Sequence, residues 1–482
     1  MKNYFFLVLF IMALTANTFA QWQPDVRLTN NPFNSYVSYN NARNIASNGS
    51  NVYVSWADNR DLGSNEIYFK RSTDEGINWG TDTRITNDSL DSFYPSIAVT
   101  GSNIHLVWQN NHFGNNDEIY YKRSTDGGAT WDADKRLTNN SSTSYNASIA
   151  AIGSVMSVVW RDNRDGNEEI YYKRSSDVGV TFSSDIRLTN SIGSSADPTL
   201  TASGSVLHLA WSDERNGNFE IYYKQSTDQG LTWGLDTRIT NNSAGSYKPS
   251  ISVSGSAIAL AWYDTRDAND EIYFKLSTND GVTWGSDSRL TNNTFSSKWP
   301  SVSISGPVVN IVWQDNRDGN TEIYNKRSLD GGTSFGVDLR LTNATLASEL
   351  PSVAVSGSNV HVVWQDQRDG NLEIYYKRDP NGNIVAINNI NTSITNAYSL
   401  SQNYPNPFNP STRIKFALPK TSFAKLVIYD MLGKELETLI SEQLNAGTYE
   451  ADWSAEKFSS GVYFYKLLTE EFVEIKKMVL MK

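Results

Sequence analysis

With 482 residues the chain exceeds what one hydrophobic core can serve and suits two or three domains. Its 52 acidic against 41 basic residues, a net charge of −11, exclude the basic footprint that nucleic acid or an anionic membrane surface demands. The absence of cysteine excludes disulfides, zinc–thiolate centres and a thiol nucleophile, and four histidines leave little for a metalloenzyme.

The first twenty residues stand apart. A basic start at Lys2 leads into an apolar stretch, Tyr4–Leu14, that is too short to span a bilayer. Thr18 and Ala20 then put small residues at −3 and −1, the pattern of a signal peptide cut after Ala20. No later run has the length of a transmembrane helix, so the mature protein is expected to be exported without a membrane span.

From Gln21 to about residue 385 the chain repeats itself. Trp56, Trp108, Trp160, Trp211, Trp262, Trp313 and Trp364 recur every 51 or 52 residues. Each unit holds four short runs of β-branched and aromatic residues separated by Gly, Asn and Asp turns, and no helical period intervenes. Seven four-stranded units are the arithmetic of an all-β, seven-bladed β-propeller. Asn-rich residues 31–50 stretch the first unit and leave six- and eight-bladed closure open. The last unit breaks off after Arg378 without a fourth strand. The missing strand stands at the other end, where Trp22–Asn30 matches Trp79–Asn87. This arrangement predicts a ring closed by its own N-terminal strand, which also removes exposed strand edges.

The turn after each third strand carries Ser72…Asp74…Gly76…Trp79, and the same spacing returns with Asp126, Asp177, Asp228, Asn279 and Asp330. This pattern resembles the Asp-box (BNR repeat) of sialidase-like propellers. The resemblance implies a structural role on the face away from any active site. The physical reading agrees, because the carboxylate can accept N–H bonds of its own turn and the Gly permits φ > 0.

Residues 386–401 read as a linker. Beyond them, Asn403-Tyr404-Pro405-Asn406-Pro407-Phe408, Asp430…Leu432-Gly433, Gly461-Val462-Tyr463 and a closing Lys476–Lys482 follow in order. Residues 402–482 resemble the C-terminal sorting domain of the type IX secretion system. The resemblance implies passage through the outer membrane with that machinery as partner, then release or surface attachment. Alternating strands such as Lys425–Tyr429 and Val462–Leu467 predict a small β-sandwich.

Candidate chemistry lies on the other face of the propeller, where the turns after strands two and four open. Tyr94, Tyr145, Tyr247 and Trp299 stand just before the first strand of their units and suit a sugar-binding surface near the axis. His112 occupies a slot where the other units carry Arg. The repeated Arg (Arg60, Arg164, Arg215) is expected to pair with a nearby Asp or Glu and hold its turn. Sialidase chemistry, as the resemblance has it, needs three arginines, a Tyr–Glu pair and an Asp at one centre. Within the propeller only Arg43 and Arg161 fall outside a repeated slot. The expectation is therefore a secreted or cell-surface binding module for glycan or protein, with no catalytic residue, metal or cofactor. A sialidase-like exo-glycosidase and a structural surface protein are the alternatives.

Overall fold

The computed structural model describes residues 22–39, 43–61, 64–87, 90–111, 116–380, 382, 388–391, 396–444, 446–455 and 458–481. The expected signal peptide and His112 lie outside them. Every regular element among the described residues is a strand, and no helix there is long and apolar enough to cross a membrane.

Between Val26 and Asp379 the strands form seven separate antiparallel sheets. The sixth is representative, with Ser297–Ser305 innermost, then Val308–Asp315, Glu322–Ser328 and a two-residue outer strand, Leu339–Arg340. The second strand is buried almost throughout because both its faces are covered by neighbouring sheets. Trp313 at its centre is fully buried, as are its six counterparts. The core clusters accordingly bridge successive sheets, as where Ala259 and Phe274 of the fifth meet Val302 and Trp313 of the sixth.

The seventh sheet is completed from the other end of the chain. Val26–Arg27 pairs antiparallel with Glu373–Asp379, Val26 opposite Tyr376 and Arg27 opposite Tyr375. Trp56 of the first sheet shares a core cluster with Val363 and Tyr376 of the seventh. A lysine in each third strand reaches a carbonyl of the preceding sheet: Lys122 to Ile85 at 2.6 Å, Lys224 to Leu188 at 2.7 Å, Lys275 to Ile239 at 2.7 Å. Lys70 of the first sheet makes the same bond to Leu28, beside the strand that completes the seventh.

The C-terminal strands form two further four-stranded sheets around one core that includes Phe416, Leu426, Trp453 and Tyr465. Asn388–Asn391 and Ser399–Leu400 pair into the first of these sheets, so two strands occupy the segment whose composition reads as a linker. Composition misses them because each is too short to show a period.

Candidate functional site

The Ser-Asp-Gly turns occupy one face. In the second unit, Asp126 Oδ1 accepts N–H bonds from Ala129 and Thr130, and Gly128 N donates to Ser124 Oγ at 2.8 Å. The aromatic that ends each turn packs edge-on against an aromatic of the preceding sheet, Trp233 on Tyr172 at 5.2 Å and Trp79 on Tyr376 at 4.9 Å. The Ser hydroxyl and Asp carboxylate here are spent on holding the turn.

The opposite face has a repeated part and a non-repeated part. In the repeated part, buried Asp315 accepts from Trp313 Nε1 at 3.0 Å, Ser297 Oγ at 2.7 Å and Arg317 Nε at 2.8 Å. Arg317 reaches on to Asp338 at 2.7 Å, and its guanidinium lies 4.5 Å from the Tyr324 ring centroid. Burial alone would raise the Asp315 carboxyl; its bonds to Arg317, Trp313 and Ser297 outweigh that and hold it below the usual range. Buried Glu322 is matched separately, by Arg340 at 2.8 Å and Ala344 N at 2.9 Å. The slot arginine thus pairs with Asp, and Glu takes a different arginine. In the second sheet Asn110 stands in the Asp slot beside His112, so the carboxylate is absent where the arginine is. A buried carboxylate stripped of its guanidinium would be strongly destabilising.

The non-repeated part is the mouth around the axis. Each innermost strand from the second sheet to the seventh carries a bulge with one residue at positive φ: Tyr94, Asn146, Asp197, Lys248, Trp299 and Leu350, between 51° and 56°. No two are the same residue. A non-glycine residue at positive φ is disfavoured. The bulge accommodates it and re-aims the side chain. Six equivalent strained positions with six different side chains mark a surface where sequence is free to vary while the frame is not.

The sequence-predicted aromatics divide between two positions on this mouth. Tyr94 and Trp299 sit at the bulge. Tyr145 and Tyr247 sit two residues before Ala147 and Pro249, cross-strand from Arg161 and Tyr263. Trp299, Tyr247 and three residues that sequence reasoning did not single out form one arc. Phe219 lies 5.5 Å from Tyr247, Tyr247 stacks on Tyr263 at 5.3 Å, Tyr263 is 6.3 Å from Trp299, and Tyr39 covers Trp299 at 4.2 Å. Trp299 is only 8% exposed, whereas Tyr39 above it is 52% exposed. Lys248 lies 4.8 Å from the Trp299 centroid and pairs with Asp197 at 2.7 Å. Tyr94 belongs to a neighbouring hollow of about 210 Å³ with Tyr36, Tyr39, Phe93, Leu350 and Gln365.

Tyr145 belongs to a third group. Its hydroxyl donates to Glu168, which also receives Ser194 and the guanidinium of Arg161. The Arg161 guanidinium lies 4.9 Å from the Tyr145 centroid, and burial lowers its pKa, with Tyr145 and Asp197 opposing. A Tyr–Glu contact therefore exists, but its arginine is neutralised by the Glu. Arg43, the other off-repeat arginine, bonds to Thr201 and Ile251, so the two do not converge on one carboxylate site.

Residues 402–481 match the secretion system C-terminal sorting domain, which marks the chain for type IX secretion to the cell surface or outside. No curated protein matches the sequence. Among solved structures, the polysaccharide lyase Uly1 superposes with a TM-score of 0.52 at 10% identity, over 74% of this chain and 99% of that one. A protein of unknown function from Dyadobacter fermentans DSM 18053 gives 0.47 at 13% identity, over 61% and 95%. A Trypanosoma rangeli sialidase mutant displaying trans-sialidase activity gives 0.42 at 11% identity, over 80% and 83%. At 10% identity the likeness to Uly1 is one of fold, an all-β array of repeated four-stranded sheets of the propeller type.

Proposed function

We propose that residues 21–385 close into a seven-bladed β-propeller whose axial mouth binds a glycan, exported behind the signal peptide of residues 1–20 and delivered outside by the sorting domain. The observation that carries this reading is the arc from Phe219 to Tyr39, built on and beside the strands at positions that are not uniform across the seven units. Sugar rings present apolar C–H faces to aromatic rings and hydroxyls to charged groups, and Lys248, Asp197 and Asp270 stand among the rings. Titrating the purified protein with oligosaccharides while following tryptophan emission tests it. A saturable change that disappears in the Tyr39→Ala/Tyr247→Ala double variant supports the glycan site. An unchanged response in that variant removes the arc from the account.

A second reading has one observation in its favour. Tyr145, Glu168 and Arg161 are the residue types that the sialidase resemblance requires for nucleophile and carboxylate binding, and they touch. The name of Uly1 adds polysaccharide cleavage to what should be assayed. Turnover of a fluorogenic sialoside, or depolymerisation of an acidic polysaccharide, that is lost in Glu168→Gln would make the mouth an active site.

A further inference from the structure

We propose that the axial channel below the mouth is an anion site, in which a free small anion is held against Arg43. The innermost strands place Pro95, Ala147, Pro198, Pro249, Pro300 and Pro351 in one slot, one residue before the regular cross-strand pairing resumes after the bulge, at Ser96 opposite Val107 and Ser148 opposite Val159. The first unit has Arg43 there, two residues before Ile45, which pairs with Val54 as Ile97 pairs with Leu106. One unit in seven thus turns a rigid apolar residue into a long cation.

That cation crosses the axis. Arg43 Nη2 donates to Thr201 Oγ1 at 3.2 Å and to the Ile251 carbonyl at 3.0 Å. Thr201 and Ile251 belong to the innermost strands of the fourth and fifth sheets, on the far side from the first in an order of seven. Beside the guanidinium lies a cavity of about 270 Å³ whose lining includes Ser47, Thr201, Ser252 and Ser303 but no Asp or Glu. Among the described residues no carboxylate comes within ion-pair distance of Arg43, while every slot arginine from Arg60 to Arg368 has one. Burial, with no counter-charge opposing it, pulls the Arg43 pKa below the ordinary arginine value.

Arg43 as a whole is half-buried, and a guanidinium drawn out of bulk water into the channel without a carboxylate gains from an anionic partner. Hydroxyls that can turn their hydrogens toward an anion, around a guanidinium with no carboxylate, supply the donors such a partner needs. The volume suits a halide or acetate with a few waters, each water needing about 30 Å³. Apart from Arg43 the lining is drawn from the innermost strands, and it includes none of the arc's aromatics, which favours a free ion over a group on a glycan bound above.

The test uses the full-length protein. Crystals soaked in bromide should show an anomalous peak within hydrogen-bonding reach of the Arg43 guanidinium. In solution the melting temperature should rise saturably in chloride, bromide or acetate relative to equal ionic strength of gluconate, whose long hydrated chain would have to give up its water and its conformational freedom to enter the channel. Arg43→Gln should abolish that difference. If Arg43→Gln does not fold, Thr201→Val, which removes one lining hydroxyl, should weaken the apparent bromide affinity roughly threefold or more. A channel without bromide density, or an anion dependence untouched by Arg43→Gln and Thr201→Val, would overturn the site.

Discussion

The belt of repeated side chains and the mouth it surrounds stand on the same sheets and obey opposite rules. In the belt each carboxylate meets a fixed partner: Asp213 meets Arg215, Trp211 and Ser195, and Asp264 meets Arg266, Trp262 and Ser246. In the mouth the innermost strands present Asp197 in one sheet, Lys248 in the next and Trp299 in the one after. Repetition marks what the frame requires, and disagreement among repeats marks what is left for recognition. A group present in every sheet is engaged by the sheet; a group present once has no structural counterpart to explain it.

The contrast breaks first, and with the largest effect, in the belt. Arg215→Met leaves Asp213 buried without its guanidinium and should lower unfolding free energy by about 3 kcal/mol in a urea titration. Adding Asp213→Asn follows the second unit, whose sequence replaces both the Asp and the Arg of the slot by Asn110 and His112, and should recover more than half of that loss. Failure of the second substitution to help would show that the pair is not what the belt depends on. Gly179→Ala comes next, at about 2–3 kcal/mol. Gly179 has a φ of 82°, and an added Cβ would overlap the Tyr121 hydroxyl of the preceding sheet.

Acid should act on the belt through its histidines. Burial holds His105, His208 and His361 down to about 3, 4 and 3, each with Nδ1 2.7 Å from a tyrosine hydroxyl. Their unfolded value is about 6.5, so below it the unfolded chain binds protons that the folded one refuses. Stability is thus fully present above pH 6.5 and falls toward pH 4 by about 1.4 kcal/mol per pH unit for each histidine. Replacing all three by Asn, the residue that fills this slot as Asn310, should flatten that part of the pH profile. A profile unchanged by the triple substitution would assign the acid sensitivity elsewhere.

The mouth should answer with the smallest change in stability. Tyr39→Ala removes a half-exposed ring and should shift unfolding by less than about 1 kcal/mol. A loss as large as that of Arg215→Met would make Tyr39 part of the frame.

How much of this was legible beforehand differs between the same two regions. Period, turn residues and the N-terminal match foretold the all-β sheets and the strand that completes the seventh, because each unit states its own pairing locally. The C-terminal motifs identified the sorting domain for the same reason. The mouth resisted because its geometry is a register effect. Tyr94 and Tyr145 look equivalent in a loop, yet the bulge puts one at positive φ and the other cross-strand from Arg161. Nothing local separates Lys248 and Asp197 from ordinary surface charges, and Tyr39 lies in an Asn-rich insertion. Arg43 was visible as an exception, but its partners lie 158 and 208 residues away and no local pattern announces them. Positions at which the seven units carry different residues hold most of the mouth.

The most direct test of the central claim is a glycan array probed with the purified protein and with the Tyr39→Ala/Tyr247→Ala variant. The account predicts that the protein retains a related set of glycans and that the variant, still folded, retains at most a tenth as much. Equal retention by both, or no glycan bound at all, would contradict it.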